Sequence, residues 1–351
     1  MPTKSNGRDG SAKRFSGQAE APLYGILADI IAAGGGKLTF ADFMREALYH
    51  PQHGYYQQVK SPVGVRGDFF TAVSATPLFG RILAGYFTRL RAEMGHPAAF
   101  TVVEYGGHRG QLRDDVLSAA PDLAYNSIDV GVIEPGSIIG CVFSNELLDA
   151  FPVHRMKVID GSWQELYVTV EGAGFAWSPG PCSDDRLLKA LAGLPLKHME
   201  GYETEVNLEA PAWIERIGQK LKRGRVVTID YGFERHEYYS AQRPRGTLRC
   251  YAKHTVSDNP LVNVGKQDIT AHIDFTSIIE AGRKVGLEPV LFTDLSHFLL
   301  QEGEPILREI SERTAGTFSS ERSGIHQLLH PGLMGSAFKV LVQEKMVPML
   351  G

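Results

Sequence analysis

The segment Ser144-Asn145-Glu146-Leu147-Leu148-Asp149 sets an amide and two carboxylates directly after the apolar run Gly140-Cys141-Val142-Phe143. An acidic group just past a buried strand is where open α/β sheets keep their ligand-handling residues. The plain alternative is a helix start that collects acids for its dipole. A second segment, Gly106-Gly107-His108-Arg109-Gly110, follows the run Phe100–Tyr105. Glycines at such a turn let backbone approach a ligand, although this run lacks the G-x-G-x-x-G spacing of dinucleotide binders and also reads as a tight strand-to-helix turn. Asp230-Tyr231-Gly232 ends another apolar run. Further on, His272 is a candidate ligand contact or a satisfied structural histidine, and Asp274 reads as a helix N-cap.

These residues need a scaffold, and the pattern supplies one. Strands are expected at Phe100–Tyr105, Gly140–Ser144, Arg225–Asp230, Leu287–Thr293 and Ala337–Gln343. Helices are expected at Gln111–Ala119, at Pro211–Lys222 closed by Gly224, and at Phe275–Val285 closed by Gly286. Alternating strands and helices predict an α/β domain with a mostly parallel sheet. Three helices precede it. One spans about Pro22–Ala33, one starts at Thr39 with Asp42 completing a capping box, and one opens at Thr76-Pro77. A β-rich stretch from about Val153 to Val170 interrupts the alternation.

Composition narrows the function classes. The 351 residues carry 36 Lys+Arg against 40 Asp+Glu, a net charge of −4. That balance argues against a general nucleic-acid or anionic-membrane binder, which needs a basic field. No apolar stretch approaches the ~20 residues of a membrane span, so no membrane insertion is expected. Cys141, Cys182 and Cys250 are widely separated, which predicts a reducing compartment and no disulfide scaffold. The twelve histidines are scattered, so no metal site is expected. Residues 1–20 are polar and read as a mobile tail; Pro2, Gly7 and Gly10 argue against an amphipathic presequence.

Taken together and in order, these segments resemble the class I S-adenosylmethionine-dependent methyltransferases of the MidA type, relatives of the mitochondrial complex I assembly arginine methyltransferase. The resemblance rests on TFADFMREALYHPQHGYY at 39–56, GDFFTAVSATPLFG at 67–80, the Glu104 glycine turn and SNELLDAFPVHR at 144–155. It continues through IDYG at 229–232, GTLRCY at 246–251, QDITAHIDF at 267–275 and HPGLMGSAFKVL at 330–341. It implies a Rossmann-like, seven-stranded methyltransferase sheet with an N-terminal helical cover over 21–95 and a methyltransferase domain over 96–351. Substrate insertions would fall at about 153–205 and 233–272. It implies S-adenosylmethionine as cofactor, held by Gly67, Asp68, Phe69, Thr71, Glu104, Gly106, Gly107 and Gly110. It makes Asn145, Glu146 and Asp149 the catalytic group and an arginine-bearing protein the substrate. The implied location is the cytoplasm, or the mitochondrial matrix in a eukaryote. Carboxylates suit a guanidinium, which stays protonated and presents a planar fork of donors.

The sequence departs from the family at two places. His108 stands where the turn E-x-G-x-G-x-G-x-L has its central glycine. The segment between Gly110 and Asn145 is also short by about one strand-helix unit, and such units take about 30 residues. That unit carries the family's ribose-binding acid. Glu134 either replaces it as a strand-end remnant or belongs to the loop before Gly140. Three readings follow: an active methyltransferase acting on a protein arginine, a methyltransferase-fold binding or assembly factor with impaired cofactor binding, or a small-molecule methyltransferase that reuses the scaffold.

Overall fold

The computed structural model describes residues 22–57, 76–107, 110–129, 132–252, 255–314, 319–329 and 338–345. The chain divides into two compact units. One takes residues 1–62, 152–208 and 239–271; the other takes 63–151, 209–238 and 272–351.

The second unit is built on a mixed sheet. Its strands lie in the order Leu287–Asp294, Phe338–Lys345, Leu221–Phe233, Ile138–Asn145, Phe100–Tyr105 and Tyr125–Ile128, with the short Ile273–Asp274 added beside Leu221–Phe233. The four strands from Leu221–Phe233 to Tyr125–Ile128 run parallel, and Phe338–Lys345 runs against its neighbours. Both faces are covered, which is why the strands read as near-continuous apolar runs rather than alternating ones. Val102, Phe143, Val227 and Val340 face one core, with Phe79, Phe87, Val116 and Phe298 from helices Leu78–Glu93, Gln111–Ala119 and Leu295–Arg313. Val103, Val142, Val226 and Leu341 face the other, with Trp213, Ile217 and Ile278 from helices Glu209–Lys220 and Phe275–Lys284.

Two sequence expectations change here. Gly224 does not close the preceding helix. It lies inside strand Leu221–Phe233 with φ +127, opposite Gly140, whose carbonyl oxygen would stand 1.8 Å from a Cβ at Gly224. Close approach of two strand backbones, rather than a C-cap, requires this glycine. The sheet also stops at Tyr125–Ile128 among the described residues: none of them pairs with its outer edge, and residues 132–137 before the next strand form no helix or strand. The seventh strand is Ile273–Asp274, not a further edge strand.

The other unit holds the β-rich segments. His154–Ile159, Ser162–Glu171, Gly174–Gly180 and Glu203–Val206 form an antiparallel sheet with Leu38–Thr39, and Arg249–Ala252 pairs with Thr255–Ser257 and Asp268–Thr270. Helices Pro22–Ala33 and Phe40–Tyr49 belong to it, packing Leu27, Phe40 and Phe43 with Val168, Phe175 and Ile269. The Thr39 hydroxyl accepts the Asp42 N–H at 3.1 Å and donates to the Asp42 carboxylate at 2.6 Å, so Thr39 caps the helix, but the carboxylate takes the hydroxyl rather than the Thr39 N–H that a full capping box would use. The segment expected as one cover over 21–95 is thus shared: its first two helices pack in this unit, and Leu78–Glu93 packs on the parallel sheet of the other.

Candidate active site

Sheet register puts the chemistry-bearing residues in one row. Tyr105 lies opposite Ile128 on one side and Ser144 on the other, and Asn145 lies opposite Ile229. Gly106, Asp129, Asn145-Glu146 and Asp230 therefore emerge together at the carboxyl ends of four adjacent parallel strands, where ligands bind in open α/β sheets.

The glycine turn is shaped for close approach. Gly106 and Gly110 have φ +75 and +71, a conformation that costs glycine little. A Cβ at Gly106 would lie 2.9 Å from Leu147 Cδ1, and one at Gly107 would lie 2.1 Å from Ser127 Oγ and 2.5 Å from Glu104 Oε2. Gly110 opens helix Gln111–Ala119 with no side-chain cap hydrogen bond, and this N-terminal end of a helix is the end that favours negative charge. Glu104 is 4% exposed and accepts the Ser127 hydroxyl at 3.2 Å. Burial pushes its carboxyl up to about 7; the Ser127 bond opposes that and the Asp129 charge adds to it.

The acidic segment is held from beneath. Glu146 sits at φ +52, a left-handed conformation that costs a non-glycine residue about 1 kcal/mol or more. Its N–H donates to Ile229 O at 3.0 Å, and Asn145 Nδ2 donates to Glu146 Oε1 at 3.0 Å. Asn145 Oδ1 is buried with no hydrogen-bond partner among the described residues. Asp149 is buried. The loop carrying it is tied to Asp230, whose Oδ2 accepts Leu148 N at 2.9 Å and Asp149 N at 3.3 Å.

The structure brings Glu104, Gly106, Gly107, Gly110, Asn145, Glu146 and Asp149 to one end of the sheet. Glu134 is placed elsewhere. It lies in the coil before Ile138, bonded to Arg216 and Lys220 of helix Glu209–Lys220. Burial would raise its carboxyl, but those two cations outweigh it and hold it below the usual range. Strand Tyr125–Ile128 ends before Asp129, and Asp129, not Glu134, is the acid at that strand's carboxyl end. Asp129 is the residue that sequence reasoning left out, and its signal was an acid immediately after a strand. Asp230, singled out there as a strand-end acid, turns out to bond the backbone of the acidic segment. Gly67, Asp68, Phe69, Thr71 and His108 lie outside the described residues.

The donor set fits an amino-acid-bearing cationic cofactor: a glycine cradle, a helix N-terminus, a buried carboxyl beside the cradle, and an orphaned amide oxygen on the neighbouring strand. Glu104 and the backbone of Gly106, Gly107 and Gly110 would hold its amino-acid part, and Asp129 its ribose hydroxyls.

Comparison with known proteins agrees. Residues 133–293 match the family described as S-adenosyl-L-methionine-dependent methyltransferase. A Drosophila melanogaster protein named Protein arginine methyltransferase NDUFAF7 homolog, mitochondrial, is 26% identical over 95% of this chain and 86% of its own length. The human protein arginine methyltransferase NDUFAF7, mitochondrial, is 24% identical over 78% of this chain and 72% of its own. A Burkholderia thailandensis protein solved bound to S-adenosyl-homocysteine superimposes with a TM-score of 0.86 at 31% identity, covering 97% of this chain and 95% of that one. The chain belongs to the MidA-type family of S-adenosylmethionine-dependent methyltransferases.

Proposed function

We propose that this methyltransferase acts on an arginine of a protein, of the respiratory-complex subunit type. One observation carries the reading: the Glu146 carboxylate, fixed by Asn145 and by a strained backbone, stands one strand from the glycine turn. The names of the curated relatives support it. The cofactor supplies an electrophilic methyl group on a sulfonium. Glu146 and Asp149 hold the guanidinium through charge-assisted bonds and aim one nitrogen at that methyl. Glu146 Oε2 takes the proton that the nitrogen loses as its new bond to carbon forms. Such positioning and electrostatics suffice for an in-line displacement. We place the reaction in a reducing compartment, the cytoplasm or, in a eukaryote, the mitochondrial matrix. Three free thiols among the described residues and the mitochondrial names of the relatives support that.

The test is methyl-labelled S-adenosylmethionine incubated with the purified chain and the complex I subunits of the same organism. Label on a protein arginine, lost in Glu146→Gln, supports the reading. Label confined to small molecules sinks it.

A further inference from the structure

Methyl transfer leaves unused the arginines that the β-rich unit gathers around two adjoining cavities. The first, about 510 Å³, is lined by Arg155, Trp177, Glu203 and Asp258; the second, about 520 Å³, shares Arg155 and Asp258 and adds Arg243 and Arg249. Arg245 lines both. Four arginines against two carboxylates leave the walls positive.

Arg155 is the built part of this site. It is 8% exposed, its Nη2 donates to Glu203 Oε2 at 2.8 Å, and its guanidinium carbon lies 5.1 Å from the centre of the Trp177 ring. Its Nε is buried and makes no hydrogen bond among the described residues. A guanidinium this little exposed is less screened by water, so a carboxylate entering the cavity is attracted more strongly here than on an open surface. Glu203 does not cancel Arg155, because it is shared with Lys157 Nζ at 2.8 Å. Arg245 is held only loosely, 3.9 Å from Asp258 and 83% exposed at its side chain.

The loop that presents the arginines is anchored. Glu205 is fully buried and accepts the Thr247 N–H at 2.8 Å and the Thr247 hydroxyl at 3.2 Å. Gly246, at φ +71, passes so close that a Cβ there would lie 2.3 Å from Glu205 Oε1. Fixing the loop before a partner arrives lowers the ordering cost of binding.

The geometry points to a docking site for an acidic peptide segment of the protein substrate. This rests on the reading that the acceptor is a protein. Carboxylate side chains pair with the guanidinium groups bidentately, and Trp177, Phe175 and Leu261 supply an apolar wall that an inorganic polyanion does not use. The acceptor would thus be held at a place other than its methylated arginine, and a second contact raises effective concentration at the first.

The experiment measures binding of fluorescein-labelled deca-glutamate to the full chain by anisotropy. The expected result is saturable, salt-sensitive binding, weakened about tenfold or more in Arg245→Glu/Arg249→Glu. Both positions are exposed, and unchanged S-adenosylmethionine binding in the variant shows that the fold survives. Trp177→Ala should weaken binding without changing the salt slope. Equal binding by wild type and the double variant overturns the site, and so does tighter binding of a deca-thymidylate than of the peptide. Lost discrimination beside intact arginine methylation refutes the docking site alone. Retained discrimination with no protein methylated refutes the acceptor reading alone.

Discussion

Asp230 Oδ2 accepts the backbone N–H of Leu148 at 2.9 Å, joining residues 82 apart in sequence. The same oxygen accepts Asp149 N, and Oδ1 accepts Tyr231 N at 2.8 Å. Asp230 has no exposed surface, so its carboxyl is the peg on which the Leu148–Asp149 backbone hangs. Replacing it with Ala removes the carboxyl acceptor of three backbone N–H groups, two of them buried. Asp230→Ala should lose about 2–4 kcal/mol of stability in urea denaturation and lower kcat/KM together with it. Unchanged activity in a folded variant would show that the loop needs no peg.

Glu104 gives a pH prediction with a definite sign. Burial first, then the charge of Asp129, raise its carboxyl to about 7. The folded state therefore binds a proton that the unfolded state has released. The stabilisation is full below the ordinary carboxylate pKa and is lost as pH rises from about 4 through about 7. Glu104→Gln should flatten that part of the stability profile, by a few kcal/mol at most. Affinity for S-adenosylmethionine should rise across the same window as the carboxylate forms, because the cofactor carries cationic groups. Calorimetric titrations at pH 6 and 8 would show that rise in wild type and its absence in Glu104→Gln.

Gly107 tests the cradle. An added Cβ meets Ser127 Oγ and Glu104 Oε2 well inside contact distance, so Gly107→Ala must push the Glu104 carboxyl aside. The expected outcome is a loss of about 1–3 kcal/mol of stability, as for other overpacked sites, and a cofactor Kd raised about tenfold or more. A crystal structure of the variant with Glu104 unmoved and cofactor affinity unchanged would remove Glu104 from the site.

Glu146 separates stability from activity. Its backbone is left-handed, so Glu146→Gly relieves strain and should leave the fold as stable or about 1 kcal/mol more stable. The same change removes the carboxylate that we propose holds the acceptor and should cut kcat/KM about a hundredfold or more. Glu146→Gln, which keeps the strain, should show the activity loss without the stability gain. Thermal unfolding and labelled-methyl assays on the pair measure both.

Much of this was legible in the residues. Strand Phe100–Tyr105 and helix Gln111–Ala119 fall where the apolar spacing and glycine turn put them. Thr39 caps its helix by accepting Asp42 N at 3.1 Å, and Asp274 caps its helix by accepting Ser277 N at 3.3 Å. Local chemistry decides such features, since each depends on residues within a turn of one another. Helix Leu295–Arg313 was hidden because Pro305 sits inside it, and a proline there breaks the helical pattern that periodicity relies on. Gly224 was misleading because a glycine after a helix reads as a cap, whereas here a facing strand backbone demands it.

What the chain order determined alone was the set of parts: an α/β sheet, a glycine turn after one strand, and an amide with two acids after another. Tertiary packing decided which parts meet. It aligned Ile128, Tyr105, Ser144 and Thr228 by strand register. It sent Glu134 to Arg216 and Lys220, left Asp129 at the strand end, and put the Asp230 carboxyl beneath Leu148. Those pairings join residues far apart in sequence, and hydrogen-bond register and burial select them only once the sheet has closed its two cores.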